Sequence, residues 1–390
     1  MHIAVFSQAY PSEEMKYNYS FVHRRAIQYD RDHDVRVFVP NKKLGIDYEI
    51  EGVSVSIRHP ETIKKSILDF APDVLFVHAP ISRWEAFDYS MLDIAEQVQA
   101  VNRLPILTWI HGYEAISRLL YYPSDIMPAL SNGIGSAFRT GSLEITRNIR
   151  NLGQLKNIRG YLIRRDNQGD HTIFVSEWLR KAVERSIRTK ISNYSVIPNP
   201  IDQDLFEYRE PNPEKAANLL SIRPFSSRKY ANDLSIKAMG NVDGVHLDLY
   251  GKGKYLENCR ELSKQVNANI SFHPRFLHQQ EIADLHRDYG VYLTPSRTDA
   301  QGVSMCEAMS SGLPVITSDV GGIPEFVEDG KTGFLCQNHK EISDRIRYFR
   351  DNPDEVVAMG QAAAESIREK CGTKQIIESE IETAKSVGRR

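Results

Sequence analysis

The sequence predicts an α/β protein built from two Rossmann-like, doubly wound halves with a cleft between them. Short apolar runs of strand length alternate with helical stretches, which implies parallel sheets. That alternation runs twice, on either side of a Pro/Asn/Glu-rich segment at 198–215. At 390 residues the chain is also too long for one ordinary hydrophobic core.

In the first half, His2-Ile-Ala-Val-Phe6 predicts a buried strand, followed by a loop over 7–19 and a helix over 21–29. Further strands are expected at 35–39, 73–77 and 106–109, with a helix over 86–101 between the last two. Residues 115–170 break the rhythm with a long, polar, helical insertion. The pattern resumes with a strand at 171–175 and a Pro-rich turn, Val196-Ile-Pro-Asn-Pro-Ile201. In the second half, strands are expected at 219–222, 245–250, 270–272, 290–294 and 314–317, and the stretch from 341 onward reads as helices. The domain division is therefore 1–200 and 201–365, with a helical tail over 366–390 expected to pack back toward the first half.

Composition narrows the class of protein. Apolar residues at 41% and charged residues at 26% are those of a soluble globular chain. A formal net charge of -2 gives no overall field toward nucleic acid, which is not expected as a partner. Four cysteines without a CxxC pair suit free thiols in a reducing compartment. The opening residues lack a basic, apolar leader, and no apolar run is long enough to span a bilayer, so a cytoplasmic location is expected. The insertion over 136–165 carries seven basic residues against the single acid Glu144, with Ile145, Ile149, Leu152 and Leu155 at helical spacing. Two readings stand side by side: a packed helix with a solvated face, or a basic amphipathic helix that lies on anionic lipid at the inner face of a membrane or holds an anionic acceptor. Gly153 and Gly160 would interrupt a continuous membrane helix.

The most informative stretch is 294–325, TPSRTDAQGVSMCEAMSSGLPVITSDVGGIPE. A strand ends at Thr294, a loop holds Asp299 and Gly302, and a helix begins near Val303 with Glu307 inside it. A helix start offers free N–H groups and positive dipole to a diphosphate, and Gly302 lets a ligand approach the backbone. Asp299 and Glu307 supply carboxylates that can accept hydrogen bonds from sugar hydroxyls. The bland alternative makes Asp299 a helix cap and Glu307 an ordinary helix residue. The stretch Ser311-Gly-Leu-Pro-Val-Ile-Thr317, which holds a second strand, and a second Gly-rich loop, Gly321-Gly-Ile-Pro-Glu325, weaken it, because two such loops side by side form a phosphate-sized pocket.

This block resembles the signature of glycosyltransferase family 4: an acid, seven positions, a glutamate, then a Gly-Leu-Pro-Val-Ile strand and a Gly-Gly-x-x-Glu loop. The resemblance implies a GT-B fold and a retaining transferase. It would move a hexose or N-acetylhexosamine from a UDP-sugar or similar donor to a glycan, lipid-linked or small-molecule hydroxyl, as in polysaccharide biosynthesis. It implies no cofactor and no metal. Glu307 would bind the ribose, and Gly302, Val303 and Ser304 would face donor hydroxyls or phosphate. Two departures stand out: Asp299 replaces the more usual glutamate, and Gln301 stands where an aromatic is common.

Other pieces fall in the family's order. Arg223 ends a strand and matches the family's diphosphate arginine; for the lysine that follows, Arg228 has the spacing and Lys229 the residue type. Two cations there neutralise the departing diphosphate. Gly251 lies in a Gly-x-Gly match, Phe276 sits where the base is contacted, and His111, beside Gly112 at a strand end, matches a histidine facing the donor sugar. The first loop, Tyr10 to Tyr19, lacks the Gly-Gly pair of many relatives. Asp32-His-Asp34 is formally a metal-binding D-x-D of another fold, but it precedes a strand at its amino end and reads as a solvated turn.

Overall fold

The computed structural model of the chain describes residues 1–12, 19–41, 45–80, 90–112, 114–121 and 134–387, with residue 102 and residues 134–146 as backbone alone. The chain divides into two compact units: Met1–Tyr121, Ser142–Pro200 and Lys374–Arg390 form the first, and Tyr122–Gly141 with Ile201–Thr373 the second.

In the first unit the strands are β1 (His2–Ser7), β2 (Asp34–Pro40), β3 (Ile46–Ile50), β4 (Val53–Arg58), β5 (Val74–His78), β6 (Ile106–Ile110), β7 (His171–Phe174) and β8 (Tyr194–Val196). They form one sheet in the order β3-β4-β2-β1-β5-β6-β7-β8. All neighbours are parallel except β3 and β4. The central strands are apolar because helices cover both of their faces; β1, β5 and β6 are buried almost along their whole length. The β3–β4 hairpin went unanticipated. Its turn is Glu51-Gly52 at φ +48° and +86°, the left-handed pair that a two-residue hairpin loop needs. Asp34 opens β2 at its amino end and pairs with His2 at 3.4 Å, as a solvated turn should.

Within the insertion, Ile134–Asn167 form one helix that runs through Gly153 and Gly160 without a break; residues 122–133 lie outside the described residues. Each glycine costs about 1 kcal/mol against alanine in a helix interior. Burial of Leu155, Ile158, Tyr161 and Leu162 on its inner face outweighs that cost. Two of its basic groups are neutralised within the unit: Arg164 meets Glu96 at 2.7 Å and Arg165 meets Asp170 at 3.2 Å. Ile149 and Leu152 stay 64% and 55% exposed. The C-terminal helix Thr373–Val387 sends Ile376, Ile381, Ala384 and Val387 into the same core as β1, β2 and Trp109.

The second unit is an all-parallel sheet in the order β11-β10-β9-β12-β13-β14. Its strands are β9 (Asn218–Ile222), β10 (His246–Tyr250), β11 (Ile270–His273), β12 (Val291–Thr294), β13 (Val315–Ser318) and β14 (Gly333–Cys336). The stretch 198–215 is less of a linker than its composition suggests. Ile201 bridges to Gly372, and both Ile201 and Phe206 are buried in the second unit's core. Cys259, Cys306, Cys336 and Cys371 are all buried free thiols. Among the described residues no helix is long and apolar enough to cross a membrane.

Candidate active site

The site in the second unit is assembled at the carboxyl ends of β9, β10 and β12, where open α/β sheets bind ligands. Strand β9 runs directly into Arg223, which is buried. The loop after it lies across the end of β10: Arg223 N donates to Tyr250 O and Phe225 N to Lys252 O, each at 2.9 Å. Gly251 and Gly253 allow that approach. A Cβ at Gly251 would sit 2.1 Å from Arg223 O, and one at Gly253 would sit 2.2 Å from the Phe225 carbonyl carbon. The Gly-x-Gly pair thus shapes the basic loop.

The Arg223 guanidinium is tied down on one side and open on another. Its Nη2 donates to Pro295 O at 3.2 Å, its Nη1 lies 3.9 Å from Asp299 Oδ2, and Nε is buried with no hydrogen-bond partner among the described residues. Tyr230 supports it, with 5.4 Å from Cζ to the ring centroid, and Lys229 Nζ lies 4.8 Å from the centroid of the same ring. Arg228 is exposed and turns instead toward Tyr255, at 5.5 Å. Of the two candidates for the second cation, Lys229 therefore shares a platform with Arg223. Arg297 fastens this turn: its N–H donates to Lys229 O at 2.8 Å, Nη1 donates to Arg228 O at 2.7 Å, and it grips Asp233 through both amino groups. Tyr230 and Arg297 were not singled out in the sequence, although both stand beside residues that were.

Asp299 does not cap the following helix. Its Oδ1 accepts from Gln301 N at 3.4 Å and Gly302 N at 3.2 Å, closing the loop ahead of helix Val303–Ser310, whose N-cap is Gly302 at φ +76°. The second Gly-rich loop braces this one: Gly322 N donates to Asp299 O at 2.9 Å, and a Cβ at Gly321 would stand 2.1 Å from that oxygen. The first-turn N–H groups of the helix, at Val303 and Ser304, are left without intrahelical partners by helical geometry. The Ser304 side chain bonds the Tyr292 hydroxyl, whose pKa burial pushes up. Glu307 is buried on the same helix and accepts from Gln279 Nε2 at 3.4 Å. Phe276 is 52% exposed, with Lys252 Nζ 5.8 Å from its ring centroid.

His111 lies in the other unit, just past β6 and half-buried. Its Nε2 meets His78 Nδ1 at 3.2 Å, its backbone N–H donates to the Glu114 carboxylate, and the Phe21 ring centroid is 4.5 Å away. Burial, with Arg25 nearby, holds its pKa well below the usual histidine range. The altered first loop falls largely outside the described residues, over 13–18, as does Tyr113.

A charge-neutral replacement tests what Asp299 does. Asparagine at 299 keeps an oxygen for the N–H groups of Gln301 and Gly302, so the loop and the melting temperature are expected to survive. It removes the negative charge beside Arg223 and any ionic contact with a sugar. The expected result is donor affinity close to wild type with kcat reduced about tenfold or more, since a contact strengthened by charge developing in the transition state acts on kcat. Wild-type turnover would mean that Asp299 serves the loop alone.

A buried arginine at a strand end, two mutually braced Gly-rich loops and an acid on the adjoining helix thus stand together at the carboxyl ends of the second unit's strands. Residues 22–205 match the family model described as Glycosyltransferase Family 4, and residues 202–366 match that described as Glycosyl transferases group 1. Together the two cover most of the chain, which belongs to glycosyltransferase family 4 and has the GT-B fold. The N-acetyl-alpha-D-glucosaminyl L-malate synthase of Bacillus anthracis is 25% identical over 328 residues, covering 80% of this chain and 84% of that protein. The D-inositol 3-phosphate glycosyltransferase of Streptomyces scabiei is 40% identical over 88 residues, 22% of this chain; the match spans about a fifth of that protein's length (20%). Among solved structures, Anabaena Alr3699/HepE in complex with UDP-glucose superposes with a TM-score of 0.71 at 16% identity, over 99% of this chain and 100% of that one. Sucrose-phosphate synthase from Thermosynechococcus elongatus does so with a TM-score of 0.72 at 14% identity, over 99% and 98%. At these identities the structures share the fold.

Proposed function

We propose that this chain is a retaining, metal-independent hexosyl- or N-acetylhexosaminyltransferase. It takes a UDP-sugar in the second unit and delivers the sugar to a hydroxyl of a glycan, lipid-linked or small-molecule acceptor held by the first. The observation that carries this reading is Arg223: a buried guanidinium beside the Asp299 loop whose Nε has no hydrogen-bond partner among the described residues. A departing diphosphate satisfies that nitrogen and balances that charge. Lys229 supplies the second cation and the start of helix Val303–Ser310 supplies backbone donors, so negative charge building on the leaving group meets donors already in place. Glu307 accepts from the ribose hydroxyls and Asp299 faces the transferred sugar; in the first unit, His111 is assigned toward the sugar by its match to the family's histidine. Retention follows the family, with the acceptor attacking on the face the diphosphate leaves and the phosphate oxygen taking its proton. The UDP preference draws on the fold shared with HepE, which is known with UDP-glucose.

The enzyme acts in the cytoplasm or at the inner face of a membrane. Ile149 and Leu152, exposed among Arg147, Arg150 and Lys156 on the long helix, support a membrane contact for a lipid-linked acceptor.

A thermal-shift panel of UDP-, GDP- and ADP-sugars, followed by acceptor-dependent release of nucleoside diphosphate, tests the reading. Donor consumed with no acceptor present would favour an epimerase, and binding without turnover on any acceptor would leave a nucleotide-sugar-binding protein. Because side chains supply the positive charge, turnover is expected to be unchanged in excess EDTA. Activity lost to the chelator and restored by Mg²⁺ or Mn²⁺ would overturn the metal-independent part.

A further inference from the structure

The C-terminal helix Thr373–Val387 carries a fully buried carboxylate, Glu380, into the core of the first unit. Its Oε1 accepts from Arg25 Nε at 2.9 Å and from Trp109 Nε1 at 3.0 Å, and its Oε2 accepts from the Tyr29 hydroxyl. Arg25 is equally buried. It passes the contact on: Nη1 donates to Asn199 Oδ1 at 3.0 Å and Phe21 O at 3.2 Å, and Nη2 donates to Pro198 O at 3.4 Å. Asn199 in turn bonds the His111 ring, which also meets His78. The path runs from the last helix of the chain to the side chain at the end of β6.

Stability alone is a poor reason for this arrangement. Apolar residues of similar volume often replace a buried ion pair with no loss of stability. The path ends on a group at the carboxyl end of a parallel strand, the ligand side of such sheets. Burial holds both imidazoles well below the usual histidine range, with Arg25 adding to the effect; the other charged group against His111 is the Glu114 carboxylate, on its backbone N–H. A neutral imidazole has one N–H, and its partners decide which nitrogen carries it. His78 Nε2 has no hydrogen-bond partner among the described residues, and a buried N–H there would be an orphan donor, so the one N–H of the neutral His78 ring belongs on Nδ1, donating to His111 Nε2. With Nε2 of His111 accepting, the N–H of that neutral ring falls on Nδ1, and Asn199, whose Oδ1 is itself held by Arg25, is a further hydrogen-bond partner of the ring.

We propose that Glu380 and Arg25 are positioning residues that act through Asn199 to hold His111 as its Nδ1–H tautomer at a fixed ring angle. The effect on turnover rests on the reading of His111 as a residue facing the transferred sugar; the tautomer itself does not.

The test uses the full chain with ¹⁵N-labelled histidine. Long-range ¹⁵N–¹H spectra of the wild type should assign His111 to the Nδ1–H form at neutral pH without any substrate. The double variant Arg25→Met/Glu380→Gln removes both charges while keeping an acceptor for Trp109 and a filled core. It should give a mixed tautomer signal, with kcat down about 10- to 100-fold and donor KM little changed. The single variant Asn199→Leu leaves the Arg25–Glu380 pair intact and should give the same spectral change, which keeps the test available if the double variant fails to fold. An Nε2–H signal in the wild type, or an unaltered signal in a folded variant, overturns the proposal. Wild-type protein with the expected tautomer but no turnover on any donor and acceptor would remove the functional reading and leave the network standing.

Discussion

Replacing Arg223 by methionine is expected to lower kcat about 10²- to 10³-fold, the range found when one preorganised donor to a developing negative charge is removed. Methionine follows the path of the arginine stem, so the packing over Tyr230 is largely kept. Thr294 O, which lies 3.5 Å from Nη2, retains its bond from Thr317 Oγ1 at 2.9 Å, and only Pro295 O loses its donor. The stability cost should therefore be about 1–2 kcal/mol, far too little to unfold the unit at assay temperature. If Arg223 Nε meets the diphosphate as proposed, nucleoside diphosphate should bind more weakly as well. Steady-state kinetics with calorimetry on the same preparation checks both. A variant that retains turnover would show that the diphosphate is neutralised elsewhere, with Lys229 and Arg228 the residues to change next.

Glu307→Ala is expected to weaken donor binding about 10- to 150-fold, the equivalent of losing one or more hydrogen bonds to a charged group at about 1.5–3 kcal/mol. Alanine is the best helix former, so helix Val303–Ser310 should persist. Gln279 Nε2 loses its acceptor in the variant, a further modest cost to the empty protein. The discriminating measurement is calorimetric titration with the nucleoside diphosphate and, separately, with the free diphosphate group as pyrophosphate. A ribose contact predicts that the first weakens and the second does not. Equal loss for both would place Glu307 in support of the phosphate loop instead.

What was legible in the sequence is what is local. Strands β1, β5, β6, β9, β12 and β13 are short, continuous apolar runs because both faces of a parallel sheet are covered, and that condition is written into consecutive residues. The start of helix Val303–Ser310 was legible for the same reason: a strand end, an Asp, a Gly and an apolar helix follow one another directly. Elements half open to solvent were less so. Strand β3 reads Ile-Asp-Tyr-Glu-Ile, with mostly exposed side chains, and carries little of the apolar signal that marks the central strands.

By itself, then, the sequence determined the two α/β halves, the family and the run of residues that forms the two Gly-rich loops, because each of these depends on near neighbours along the chain. Tertiary structure decided the rest. Lys229 rather than Arg228 shares the Tyr230 ring with Arg223 because the turn fastened by Arg297 points one cation inward and the other toward Tyr255. Helix Ile134–Asn167 continues through two glycines because the burial of its inner face exceeds their backbone cost. Glu380 reaches Arg25 across 355 positions of sequence. No pattern of spacing marks that pair; two charges far apart in the chain come to share one dry site because the last helix packs on the first sheet and, among the described residues, sets each against the other.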